Sequence, residues 1–166
     1  MMKKKILAMM LFVALSVSMV ACGSANSDSE SGVGDTNKKE FSAEELAQSL
    51  ITQITYTEEL EQIPADKIDW YVTLEEGVTG ILYMASGVSS EEVAVFTAPD
   101  EATAKTMIAN VEELLADQED QNAAYDAKVA QRIENAVLEQ KGCYVILCVS
   151  DDSAKAKELV KEAFGE

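Results

Sequence analysis

The hydrophobic pattern divides the chain into three stretches. Ile6 to Val20 is apolar at every position except Ser16 and Ser18, and Lys3, Lys4 and Lys5 precede it. Residues 23–40 then carry Ser, Gly, Asp and Asn with one valine. From Phe41 onward apolar residues recur with the periods of regular structure. Leu46, Ala47, Leu50, Ile51 and Ile54 repeat at helical spacing and predict a helix over 43–54. Ser42 stands three residues before Glu45 as a capping box, and Phe41 with Leu46 is spaced as a hydrophobic staple.

Three short runs of strand character follow. Trp70–Thr73 is the first, ended by Glu75-Glu76-Gly77; Ile81–Ala85 is the second, and Val93–Phe96 the third, stopped by Pro99. Connections this short predict an antiparallel meander. Ala104, Met107, Ile108, Val111, Leu114 and Leu115 fall on one face of a helix over 100–119. Residues 120–132 fit either a continued helix or a loop. Ala136–Leu138 and Cys143–Val149 predict a closing hairpin around Lys141-Gly142. Asp151 or Asp152 would cap a terminal helix with Ala156, Leu159, Val160, Ala163 and Phe164 turned inward. The expected fold is a single α+β domain: an antiparallel sheet of about five strands with three helices, in the order α-βββ-α-ββ-α.

The N-terminal stretch has the shape of a secretory signal peptide, because its apolar run is short for a membrane span and follows a positive segment. It closes on Met19-Val20-Ala21-Cys22-Gly23, which resembles the lipobox of bacterial lipoproteins. Cleavage after Ala21 and acylation of Cys22 are expected, with two or three acyl chains forming a stable anchor. The domain plan is then a signal peptide over 1–21, lipidated Cys22 with a flexible tether over 22–40, and the α+β domain over 41–166. Such a protein sits on the outer face of the cytoplasmic membrane and touches the bilayer through its lipid alone.

Charge narrows the partners. The chain carries 30 acidic against 13 basic residues, a formal charge of −17. Removing residues 1–21 takes away three lysines and no acid, so the exported form is more acidic still. Nucleic acid is excluded as a partner, since phosphates need Lys and Arg to displace their counterions. Flat docking on anionic lipid is disfavoured for the same reason.

Catalytic chemistry is sparse. There is no histidine, which removes every Ser-His or Cys-His arrangement and the commonest zinc ligand. No recognised nucleophile elbow, phosphate loop or dinucleotide fingerprint occurs, and no metal site or cofactor is implied. Glu75-Glu76, Glu91-Glu92 and Asp151-Asp152 stand at strand ends, where a glycosidase pair could sit, yet such doublets arise by chance among 30 acids. Asp117-Gln118-Glu119-Asp120 lacks the alternating ligands of a calcium loop and suits a solvated helix end. Arg132, the one arginine, could hold a carboxylate ligand bidentately, but a surface salt bridge is the expected role. Within the last strand, Cys143 and Cys148 would lie about 16 Å apart on opposite faces. They cannot pair with each other and read as buried free thiols.

Tyr83-Met84-Ala85-Ser86-Gly87-Val88-Ser89-Ser90-Glu91-Glu92-Val93-Ala94-Val95-Phe96 resembles the middle of the family catalogued as domain of unknown function 4358. Gly142-Cys143-Tyr144-Val145-Ile146-Leu147-Cys148-Val149-Ser150-Asp151-Asp152 resembles its closing strand and turn. The resemblance extends over about 41–166 and departs around 121–132, where Tyr125 is kept but the family's Pro-containing segment is not. It implies a lipoprotein of Gram-positive, clostridia-type bacteria and transfers no catalytic residue.

Together these features favour a non-enzymatic binding or interaction module of the cell envelope, with an envelope protein as its partner. A carboxylate-based hydrolase of cell-wall glycan and a small-ligand carrier are the rivals. Both longer strands are apolar on both faces, and three helices are few to cover two sides of a sheet. Tyr144, Val145, Ile146 and Leu147 are therefore the candidate partner-binding residues; the competing account makes them all core.

Overall fold

Helix α1 spans Ala43–Gln53. Ser42 caps it, its hydroxyl accepting from the Glu45 backbone N–H at 3.3 Å, as the Ser-x-x-Glu spacing requires. The computed structural model describes residues 41–86 and 89–166. The expected signal peptide over 1–21, Cys22 and the expected tether lie outside the described residues.

Five strands follow: β1 (Leu60–Ile63), β2 (Thr79–Ala85), β3 (Glu92–Thr97), β4 (Val137–Lys141) and β5 (Tyr144–Val149). They form one sheet in the order β1-β2-β3-β5-β4, and every neighbouring pair is antiparallel. β1, β2 and β3 make an antiparallel meander, as expected, but with a different first strand. β5 then returns beside β3 and leaves β4 at the edge. The fold is a single α+β domain with a five-stranded antiparallel sheet.

The helices are more numerous than three. α2 runs over Glu101–Asn122, longer than its apolar stripe implies, with Asp100 as its cap. A separate helix, α3, occupies Ala127–Glu134 in the region left open between helix and loop. Asp126 starts it by accepting from Lys128 and Val129. α4 spans Ser153–Phe164, capped by Asp152 and stopped at Gly165 with φ +70°. A 3-10 turn over Ala65–Trp70 completes the set.

That turn corrects the first expected strand. Trp70–Thr73 has strand-forming side chains, but no ladder reaches it. The Tyr71 and Val72 N–H groups both bond back to the Ile68 carbonyl, at 3.0 and 3.2 Å. Pro64 sets the entry, its carbonyl accepting from Lys67 at 2.9 Å. The real edge strand, Leu60–Ile63, carries Glu61 and Gln62 in its middle, so it gives no apolar run to detect.

The two faces of the sheet build two cores. Leu82, Ala94, Phe96, Val145, Leu147 and Val149 pack under Met107 and Val111 of α2, Val129 and Ile133 of α3, and Ile68. Tyr83, Val93, Val95, Ile146 and Cys148 pack under Leu46 and Leu50 of α1 and Leu159 and Val160 of α4. Burying each large apolar side chain contributes roughly 1.5–3 kcal/mol. One close approach demands glycine: a Cβ on Gly80 would lie 2.5 Å from the Phe96 ring opposite it in the ladder.

Candidate functional site

The ends of β2 and β5 and the starts of β1, β3 and β4 converge at one end of the sheet. Polar side chains collect there. Residue alternation along a strand places neighbours on opposite faces, and this fixes the fate of the adjacent acids Glu91 and Glu92. Glu92 lies opposite Met84 and Val149 on the face shared with Ala94 and Phe96, towards α2. Glu91 turns the other way. Immediately before them Ser90 holds a left-handed backbone, φ +55°.

Both acids are 1% exposed. The Glu91 carboxylate accepts from the Thr57 N–H at 3.0 Å, the Thr57 hydroxyl at 2.6 Å and the Glu58 N–H at 3.2 Å. Arg132 Nε stands 3.8 Å from Glu91 Oε1. The same guanidinium donates through Nε and Nη2 to the two oxygens of Asp151, at 2.8 and 3.1 Å. Its Nη1 donates to the Ser89 carbonyl. Hydrogen bonding to Arg132 holds the Asp151 carboxyl below the usual carboxylate range, and the same contact raises the Arg132 pKa. The Arg132 side chain is 7% exposed against 61% for Asp151. Arg132 is thus a buried hub rather than a surface salt bridge, because α3 packs its Val129 and Ile133 into the core and carries Arg132, on the same face as Val129, inward with them.

On the α2 side, Gln118 Nε2 donates to Glu92 Oε1 at 3.3 Å. Burial pushes the Glu92 carboxyl up to about 7, with the Gln118 bond opposing. Cys148 is a free, buried thiol whose pKa burial also raises. Tyr56 Oη and Ser150 Oγ each lie 3.7 Å from its sulfur. The buried free thiol is Cys148; Cys143 sits in the β4–β5 turn, not in the strand.

The other sequence candidates separate. Glu75 accepts from Asn110 at 2.9 Å while Glu76 is exposed. Asp151 serves Arg132 and Asp152 caps α4. Asp117, Glu119 and Asp120 lie exposed within α2, and among the described residues no group of three metal-ligating side chains gathers. Val145, Ile146 and Leu147 are at most 1% exposed, divided between the two cores. They have no surface to offer a partner, because α2 and α3 cover one face and α1 and α4 the other. Tyr144 is half-buried, with Phe41 at 4.3 Å between ring centroids.

Chemically, the end cluster binds its own parts together. Glu91 and Glu92 point to opposite sides of the sheet, so they cannot flank one glycosidic bond. An open groove of about 490 Å³ beside the cluster is lined by Lys128, Gln131, Arg132, Asn135, Ser150, Asp151 and Ser153, a polar wall unlike the aromatic-lined pocket expected of a carrier. Large apolar side chains stand elsewhere on the surface: Trp70 is 73% and Tyr125 90% exposed, with Tyr71 at 42%. The Lys67 ammonium lies 5.5 Å over the Trp70 ring.

The family model described as domain of unknown function (DUF4358) matches residues 62–150. The chain belongs to that family. No curated protein and no solved structure matches it. The DUF4358 match begins within β1 and ends at Ser150, so it holds Glu91, Glu92, Gln118, Arg132 and Cys148 together. Thr57 and Asp151, which partner the Glu91–Arg132 side of the cluster, lie just outside it.

Nothing in the sequence marks Thr57, Ser89 or Gln118 as partners of the buried acids and the arginine. The available signal was positional: Glu91 and Glu92 open a strand that is apolar on both faces, where an acid has no water and must find donors.

Proposed function

We propose that this protein is a membrane-anchored, non-enzymatic binding or interaction module of the cell envelope. Cys22 is its lipidation site, Ala21 the cleavage position, and residues 23–40 a tether that carries the domain clear of the outer face of the cytoplasmic membrane. What supports a binding role is the division of side chains. The acids and the arginine at the sheet end are engaged internally, whereas Trp70 and Tyr125 stand 73% and 90% exposed. Tryptophan and tyrosine are enriched in protein interfaces because they bring large area at low entropic cost. On a domain this acidic, a protein partner suits them better than an anionic surface.

Site-specific photo-cross-linking in intact cells tests this. A photoreactive residue at Trp70 or Tyr125 should give discrete adducts, while the same residue at exposed Lys157 should not. Adducts equally strong at all three positions would overturn the binding proposal. So would release of glycan fragments by the purified protein that is lost in a Glu→Gln variant.

A further inference from the structure

Two buried polar atoms lack a partner among the described residues: Glu92 Oε2 and Gln118 Oε1. They belong to the same contact, in which Gln118 Nε2 donates to Glu92 Oε1 at 3.3 Å. If Glu92 is a carboxylate, both atoms are acceptors and neither has a donor. Leaving such groups unsatisfied costs about 1–3 kcal/mol each, more when one is charged. A carboxylic acid supplies what is missing, since its one O–H donates while its other oxygen accepts. Acid and carboxamide are then complementary. The Oε2 proton goes to Gln118 Oε1, the Nε2 proton to Glu92 Oε1, and a two-bond ring closes.

The surroundings favour the neutral form. Glu92 is 1% exposed, with Met84 of β2 and Val149 of β5 as ladder neighbours. From α2 it meets Gln118, and one turn on Asn122 donates to the Ser90 hydroxyl at 3.4 Å. Glu91 points through the opposite face. On α3, the Arg132 guanidinium is occupied by Asp151 and the Ser89 carbonyl. Cys148 of β5 is the titratable group that senses Glu92, and a negative charge there would hold its proton more firmly.

We propose that Glu92 is a neutral carboxylic acid locked to Gln118, and that this ring is a proton-operated latch fastening the C-terminal end of α2 to the sheet. Ionisation releases the Oε2 proton to solvent and leaves two acceptors facing each other in an apolar site. The last turns of α2 then loosen, and with them the corner that positions α3 and Arg132.

Burial raises this carboxyl from 4.5 to about 7. A raised folded-state value gives stability that is complete below about 4.5 and is lost as pH rises through about 7. The expected change in the folding equilibrium across that window is on the order of a hundredfold. Glu92→Gln is the decisive variant: it supplies an N–H where the acid supplies its O–H, so the ring survives without a titrating group. In the full-length protein in detergent, wild type should lose that stability between acid and neutral pH, and Glu92→Gln should be flat by comparison. Amide exchange at the end of α2 should accelerate above neutrality in wild type relative to the variant. Equal pH slopes in the two proteins would overturn the latch. Infrared spectroscopy needs no folded variant: wild type should keep one protonated-carboxyl band at mildly acidic pH, after the exposed acids have ionised. Absence of that band would overturn the proposal whatever the variants do.

Discussion

Replacing Arg132 with methionine keeps an unbranched apolar stem and removes the guanidinium, which decides whether the sheet-end cluster is structural. Two bonds to Asp151 and one to the Ser89 carbonyl are lost. The Asp151 side chain is 61% exposed and returns to water, so that pair contributes at most about 1 kcal/mol. The Ser89 carbonyl loses a charged donor, about 1–2 kcal/mol. Glu91 matters most. Its side chain is fully buried, and Arg132 at 3.8 Å is its nearest cation. The donors from Thr57 and Glu58 remain, so the total should fall near the low end of a broken buried pair, about 3 kcal/mol. For a domain of this size that lowers the melting temperature by about 10 °C. Asp151→Asn, in contrast, should cost about 1 kcal/mol or less. The pH dependence has a definite sign. The lowered Asp151 value gives stability that is present above the ordinary 3.8 and is lost as pH falls below it. The difference between wild type and Arg132→Met should therefore narrow in acid and hold steady near neutrality. Denaturant unfolding of the three proteins measures all of this. If Arg132→Met costs no more than Asp151→Asn, Arg132 is an ordinary surface ion pair and Glu91 does not depend on it.

Three further outcomes are expected. Gly80→Ala places a methyl 2.5 Å from Phe96 Cδ1 and 2.9 Å from Cε1, so thermal unfolding should show a loss of about 1–3 kcal/mol; an unchanged melting temperature would mean that β2 and β3 have slack between them. Ile146→Glu and Leu147→Glu, on opposite faces of β5, should each unfold the domain by circular dichroism, and survival of either would show that its face is not sealed. Cys22→Ser should abolish incorporation of a fatty-acid analogue and leave an uncleaved precursor; normal labelling and cleavage would remove the anchor from the proposed function.

Much of the fold was legible because its signals are local. Ser42, Asp100 and Asp152 cap α1, α2 and α4 within three residues of their partners, and the apolar runs of β2, β3 and β5 mark strands buried on both sides. The misplaced first strand shows the limit of such signals. Trp70–Thr73 has the side chains of a strand, but strand identity depends on a neighbour with free ladder groups, and that neighbour, β2, pairs with Leu60–Ile63. An edge strand with Glu61 and Gln62 at its centre needs only backbone complementarity and leaves little trace in hydropathy. α3 was equally faint, at eight residues with Val129 and Ile133 as its inward-facing apolar side chains.

The cluster was half legible for a related reason. Glu91, Glu92, Arg132 and Asp151 were all visible as candidates, yet their relations were not. Adjacent acids look like a pair in sequence, whereas the pleat separates them by the thickness of the sheet. The groups that satisfy them come from 34 and 26 residues away in Thr57 and Gln118, and Arg132 reaches 43 residues to the Ser89 carbonyl; these are residue types that stand in loops and helices everywhere. Charge counting also misled. Among 30 acids a single arginine looks certain to find a surface carboxylate, and Asp151 does supply one. Burial works in the other direction: a fully buried Glu91 creates the demand for a cation near it, and a chain with one arginine has one fork to answer with. Arg132 is inside because Glu91 is, and Glu91 is inside because β3 begins one residue later.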